Sequence, residues 1–335
     1  MCFDKIMENS ENKLYTMVAP DTMVSKELVA LLLAYGEKVR LVGTVPCTIP
    51  GTSSVIIDFL NHEQVESALK GSAIVYLMTC FFDDQDKSGH YLMAVLNNVI
   101  TGCRNTGAKL IYIDTIAVYG RLDSVMTEDT PFSPIDYRGK MAVLATSMIQ
   151  REIASGILKC AIVRTLDFYG PCQSGYHNHT RKVFLSLRRR LPARWPLNAD
   201  MPHAMHYLPD MVRALYIVTV HERAMGSTWH LPTDRPALTG RQFITLAARY
   251  LNAGKDLRVI PKWLLQVQAW FNVSNKRMLE RSYQYEFPIR FDSSKFENAF
   301  HFKTTSYQDG IKATAEWEWL RHSKSVYQYQ DSRSV

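Results

Sequence analysis

The chain has 335 residues, 47% hydrophobic and 21% charged, an ordinary globular composition with material for one large or two modest domains and a sizeable core. Its 39 Lys and Arg against 32 Asp and Glu leave a net charge of +7, which excludes a histone-like polycation and keeps anionic ligands open. The six cysteines include no C-x-x-C pair and no zinc spacing, and residues 1–13 are polar where a secretory signal is apolar. Reduced thiols in a cytoplasmic protein are therefore expected. No apolar run approaches the roughly 18 residues of a membrane span, so no membrane partner is expected.

Residues 14–19 are a short apolar run of strand length, after which Val24, Leu28, Leu31, Leu32 and Tyr35 share one face of a helix. Gly36 is a helix stop, and residues 38–42 are a second apolar strand. The alternation continues with strand 54–58, helix 62–69, strand 73–79, helix 91–105, strand 108–114, helix 138–154 and strand 159–165. Strands and helices alternating across short connections predict a doubly wound, Rossmann-like α/β domain with a parallel sheet covered on both faces.

Beyond Pro171 the rhythm breaks. Residues 172–202, rich in Gly, His, Arg and Pro, read as an insertion carrying one basic helix. Residues 206–220 resume as strand then helix, 228–231 form a short strand, 241–251 and 262–271 are helices, and a polar tail follows Arg321. The expected organisation is a Rossmann-like domain of residues 13–171 plus about 203–223, and a smaller C-terminal substrate lobe of 172–202 and 224–320. Residues 1–12 and 321–335 are read as polar tails. The lobe is expected over the carboxyl ends of the strands, where open α/β sheets bind ligands.

Several segments in this order resemble one family. Residues 112–120 (YIDTIAVYG) are similar to the strand and loop carrying the active-site hydroxyl of extended short-chain dehydrogenases, and 127–131 (TEDTP) to the loop that follows. Residues 163–171 (VRTLDFYGP), 206–215 (HYLPDMVRAL), 228–232 (TWHLP) and 291–300 (FDSSKFENAF) fit the NAD-dependent epimerase/dehydratase subgroup, and the resemblance runs from about Leu14 to Leu320. It implies an oxidoreductase taking NAD or NADP and a small hydroxylated or phosphorylated substrate, such as a nucleotide sugar. It also implies roles for residues. Thr115 takes the family's Ser/Thr position, with Tyr137 and Lys140 in the segment of its tyrosine–lysine pair. Thr22, Met23, Asp58, Met78, Thr79, Arg164 and Leu166 fall on the cofactor side, and Tyr119, Asp167 and Tyr169 on the substrate side, to which the charge of the basic helix, not the resemblance, adds Arg188. A homodimer is the expected assembly.

The residues depart from this pattern in three places. The first strand–helix turn, residues 18–25 (VAPDTMVS), has no glycine to let the backbone approach a pyrophosphate. Pro20 removes an N–H donor, and Asp21 reads as a helix cap at the phosphate position. The second strand ends without an acidic residue for a ribose 2′-hydroxyl, so NAD and NADP are not distinguished. Tyr137 and Lys140 are three residues apart instead of four, although i, i+3 pairs are still neighbours on a helix. These departures keep a second reading open: a catalytically inactive ligand-binding, sensor or scaffold protein on the same fold.

Other residues have two readings. Thr115 either meets a substrate oxygen or bonds its own loop, and Tyr119 either faces ligand or packs under the site. Arg164, Asp167 and Tyr169 gather at a strand's carboxyl end, where they face the crevice or form an Arg164–Asp167 ion pair. Arg181, Lys182, Arg188, Arg189, Arg190 and Arg194 put six positive charges in fourteen residues. That face is either solvated or suited to a diphosphate. Nucleic acid is not the expected partner, because no aromatic ladder accompanies the basic residues. His177, His179, His203 and His206 have no carboxylate or cysteine spaced to complete a metal site.

Overall fold

The computed structural model describes residues 12–20, 22–78, 89–172 and 178–331. The chain opens with β1 (Leu14–Val18), α1 (Met23–Ala34), β2 (Lys38–Gly43), β3 (Ser53–Ile56), α2 (His62–Leu69) and β4 (Ile74–Met78). It continues with α3 (His90–Thr106), β5 (Lys109–Thr115), α4 (Tyr137–Ser155) and β6 (Cys160–Thr165). Next come β7 (Phe168–Tyr169), α5 (His179–Arg188), β8 (Ala193–Pro196), β9 (His206–Tyr207), α6 (Leu208–Val220) and β10 (Thr228–His230). The remainder is α7 (Gly240–Tyr250), β11 (Leu257–Ile260), α8 (Lys262–Ala269), α9 (Val273–Glu280), α10 (Tyr283–Glu286), α11 (Ser294–Phe300) and α12 (Tyr307–Asp331).

Two compact units result. The first comprises residues 1–120, 131–165 and 212–231, and the second 121–130, 166–211 and 232–335. Unit 1 carries a seven-stranded sheet in the order β10-β6-β5-β4-β1-β2-β3, with every pairing parallel. All residues of β4 and β6 are buried, as expected for central strands covered on both faces. Their side chains join Val95, Leu96 and Val99 of α3 and Ala145 and Ile149 of α4 in one core. In register, Asp114 of β5 stands beside Arg164 of β6. This charged pair lies one position before the last pair of that ladder, Thr115 with Thr165.

Unit 2 has two short parallel ladders, β7 with β9 and β8 with β11, around a core of Phe184, Trp195, Phe243 and Tyr307. Two glycines are required by close approach. A Cβ on Gly240 would lie 2.3 Å from the Trp195 ring, and one on Gly310 2.6 Å from the Tyr169 hydroxyl. Helix α12 runs to Asp331, so residues 321–331 are helical where a polar tail was expected. That stretch holds no glycine or proline to stop a helix already under way. Among the described residues, no helix is long and apolar enough to cross a membrane.

Candidate functional site

In unit 1 the first strand–helix turn replaces glycine with strain. Ala19, wholly buried, adopts φ 55°, a left-handed conformation that glycine supplies without cost. The cap of α1 is Thr22, whose Oγ1 accepts from the Ser25 backbone N–H at 3.1 Å. The Thr22 and Ser25 hydroxyls also lie 2.7 Å apart, and each reaches the Met78 sulfur at 3.2 Å. Thr22 and Met78 are thus brought together at the ends of β1 and β4, with Ser25, which sequence reasoning passed over. Met23 is half-buried beside them. Asp21 and Thr79 lie outside the described residues. Asp58 is exposed, and its Oδ1 accepts from the Leu60 N–H at 2.9 Å in a turn leading to α2.

At the end of β5, Thr115 caps a 3-10 turn over Ile116–Tyr119, accepting from the Ala117 N–H at 3.3 Å. Helix α4 is capped by Asp136, whose carboxylate accepts from the Gly139 N–H at 2.6 Å. Gly139 explains how closely the two meet: a Cβ there would fall 2.5 Å from the Ala117 carbonyl oxygen. Its absence lets the first turn of α4 abut the Thr115 loop. Tyr137, 44% exposed, stands on that first turn, with its hydroxyl beside Gly89 at the start of α3. Lys140 is exposed on the same helix, the next turn along.

Several expected ligand-facing residues are enclosed. Tyr119 has no exposed surface, and its hydroxyl is bonded to Nε2 of buried His230 at 2.7 Å. Of its two readings, packing beneath the surface is the one realised. Arg164 is equally buried and does not pair with Asp167. Its guanidinium meets the Asp114 carboxylate and donates to Thr146 Oγ1 at 2.8 Å. The correction has a simple cause: adjacent register positions on β5 and β6 bring opposite charges together, and burial makes the pairing obligatory.

In unit 2, Leu166 is buried at 8% exposure and Tyr169 at 1%, the latter among Tyr207, Phe243 and Tyr307. Burial raises the Tyr169 phenol well above its ordinary range. Tyr169 is a core residue, not a wall of a crevice. Arg188 is also reassigned. Buried Glu318 of α12 receives Arg181 Nε at 2.8 Å and lies 3.6 Å from Arg188 Nη1, which also donates to the Glu318 backbone carbonyl at 3.2 Å. The inner charges of the basic helix hold α12; Lys182, Arg189 and Arg190 remain exposed.

Asp167 is where the charged groups of unit 2 converge. Its Oδ2 accepts from the Tyr285 hydroxyl at 2.6 Å and lies 3.3 Å from His203 Nε2 and 4.0 Å from His179 Nδ1. Arg281 stands 3.8 Å from Oδ1. Burial pushes this carboxyl upward, but the His203 hydrogen bond and the His179 and Arg281 charges outweigh it. The group is held well below the usual carboxylate range. His179, by contrast, is pushed down to about 4 by burial. The donors Asp167, His179 and His203 lie within 4.8 Å of one another. Local spacing hid this cluster, because the carboxylate comes from the β6–β7 connection and not from near either histidine pair. His206 stands apart, with Nδ1 donating to the Pro232 carbonyl at 2.8 Å. His177 lies outside the described residues.

By sequence, no protein-family model and no curated protein matches the chain. By structure, it has the fold of NAD-dependent epimerases and dehydratases, Rossmann-like with a seven-stranded parallel sheet. An epimerase from the methanogen Methanothermobacter thermautotrophicus superposes with a TM-score of 0.75 at 13% identity, covering 97% of each chain. UDP-glucose 4-epimerase from Thermotoga maritima, solved with UDP-glucose, gives 0.74 at 15% identity over 92% of this chain and 99% of that one. dTDP-glucose 4,6-dehydratase from Bacillus anthracis, solved with NAD, gives 0.71 at 14% identity over 91% and 96%.

Proposed function

We propose that the chain is an NAD(P)-dependent oxidoreductase of the epimerase/dehydratase kind, acting on a small hydroxylated or phosphorylated substrate, with a nucleotide sugar as the best fit. The observation that carries this reading is the seating of α4 by Gly139, which brings the Thr115 loop and the Tyr137 helix entry into contact. Thr22 and Met78 meet at the ends of β1 and β4, and Thr115 at the end of β5 meets the first turn of α4 that carries Tyr137; a shared ligand explains the arrangement economically. The left-handed backbone at Ala19 keeps the shape a phosphate-binding turn needs, although Pro20 offers it no N–H. Thr22, Met23, Asp58 and Met78 are the residues proposed to hold the dinucleotide. When bound, its nicotinamide supplies the hydride acceptor. Tyr137 exchanges a proton with the substrate hydroxyl, Lys140 favours the phenolate from the adjacent turn, and Thr115 donates to the substrate oxygen.

The hydroxyls of Thr22 and Ser25 favour the second reading, ligand binding without redox chemistry, because each is turned onto the Met78 sulfur. Calorimetric titration with NAD⁺, NADH, NADP⁺ and NADPH separates the two. Sub-millimolar binding of any one supports the oxidoreductase; silence from all four removes the redox mechanism and leaves a non-redox ligand protein. Static light scattering at several concentrations tests the expected homodimer.

A further inference from the structure

We propose that unit 2 binds one divalent transition-metal ion, zinc being the best fit, through Asp167 Oδ2, His179 Nδ1 and His203 Nε2. The three come from separate places in the chain: Asp167 from the β6–β7 connection, His179 from the first turn of α5, and His203 from the segment before β9. Their donor atoms nevertheless fall within 4.8 Å of one another, with the Asp167–His203 edge at 3.3 Å. Two donors each roughly 2.0–2.1 Å from a tetrahedral zinc stand about that far apart.

The hydrogen bonds around His203 point the same way. Its Nδ1 faces the Gln284 backbone carbonyl at 3.2 Å, and its Nε2 faces Asp167 Oδ2. A carbonyl and an ionised carboxylate both only accept, so either an N–H on each ring nitrogen, or an N–H on one and a cation on the other, completes both contacts. The second arrangement puts a cation between Nε2 and the carboxylate. It also leaves Nδ1–H on the carbonyl, the outer-shell arrangement that fixes the tautomer of a metal-bound histidine. Stacking on Tyr285, with centroids 4.8 Å apart and planes 16° apart, holds the His203 ring in place. The Tyr285 hydroxyl orients the carboxylate at 2.6 Å and lies 3.2 Å from His179 Nδ1. An edge-on contact with Trp195 also holds the His179 ring.

Three protein donors leave a fourth position for water or another ligand. Two imidazoles and a carboxylate suit zinc, or another first-row ion, better than magnesium or calcium, which prefer all-oxygen shells. Arg281 is the competitor. It neutralises Asp167 from the opposite oxygen, Oδ1, and its own side chain is 34% exposed.

The test uses the purified full chain, stripped with chelator and titrated with Co²⁺ and separately with Zn²⁺. One saturating equivalent is expected, with the visible absorption of tetrahedral cobalt and a rise in Tm. His179→Gln and His203→Gln each weaken affinity more than tenfold, whereas Arg281→Gln tightens it by removing a nearby positive charge. His301→Gln, on an exposed histidine outside the cluster, leaves affinity unchanged. Circular dichroism of each metal-free variant reports whether it folds. Should a histidine variant not fold, the wild-type cobalt titration and Arg281→Gln still decide. Absence of a saturable cobalt spectrum, or wild-type affinity in both folded histidine variants, overturns the site.

Discussion

Ala19 and Gly139 show how far single backbone positions shape unit 1. A left-handed conformation costs an L-residue about 1–2 kcal/mol, and glycine relieves it while adding about 0.4–1 kcal/mol of unfolded-state entropy. The change also removes a buried methyl, worth about 0.8 kcal/mol, so Ala19→Gly is expected to shift stability by no more than about 1 kcal/mol in either direction, read from the urea midpoint. If the turn serves a dinucleotide, the same change also improves binding by giving the backbone a closer approach to phosphate. A loss well beyond about 1 kcal/mol would show that the turn is not under the strain its φ of 55° implies. Gly139→Ala has the opposite sign. Its Cβ would press on a backbone oxygen, not a flexible side chain, so a loss of about 1–3 kcal/mol is expected, with the Thr115 loop displaced.

Among elements, the pairing of α5 with α12 gives the strongest expectation. Glu318 is 2% exposed as a side chain and sits against two guanidiniums that are 12% and 15% exposed. Removing one partner of such a buried group strands the others, at a typical cost of about 3–5 kcal/mol. Glu318→Ala should lose that much in urea unfolding, while Arg189→Glu, on the exposed part of the same helix, should stay within about 0.5 kcal/mol. Equal effects from both would return the whole helix to a solvated surface.

The same elements mark what was legible in the sequence. Central strands buried on both faces read as apolar runs, so six strands of the sheet are legible, whereas residues 228–231 read as a strand of the C-terminal lobe and β10 joins the sheet instead; α2 falls on residues 62–69 as its pattern predicts. Basic α5 was visible as a helix, but not its partner: α12 is polar overall, and a single buried glutamate leaves no periodic signal. The Asp167 cluster was hidden for a related reason. Metal and charge spacings are recognisable when donors share one helix or loop, whereas here the fold draws them from separate elements. Tyr119 and Tyr169 misled because an aromatic in a familiar motif looks the same whether it faces ligand or core, and burial decides between them.

For the whole molecule, buried histidines set the response to acid. His206 has no exposed surface, donates Nδ1–H to the Pro232 carbonyl at 2.8 Å, and is pushed down by burial from 6.5 to about 4. In the unfolded chain it titrates near 6.5, so between that pH and about 4 the unfolded state binds the extra proton. Stability is thus full above pH 6.5 and falls as the pH drops toward 4, by about 3 kcal/mol for this one group at 1.36 kcal/mol per unit. Buried Glu37 works with the opposite sign. Burial raises its carboxyl above 4.5, so its contribution is full below pH 4.5 and is lost as the pH rises through the raised value. The two windows overlap above pH 4.5, where Glu37 offsets part of the loss that His206 causes on acidification. His206→Gln keeps a donor for the Pro232 carbonyl but cannot titrate. Urea midpoints measured from pH 7.5 to 4.5 should therefore fall less steeply for His206→Gln than for the natural chain, and parallel slopes would show that His206 is not held neutral by its burial.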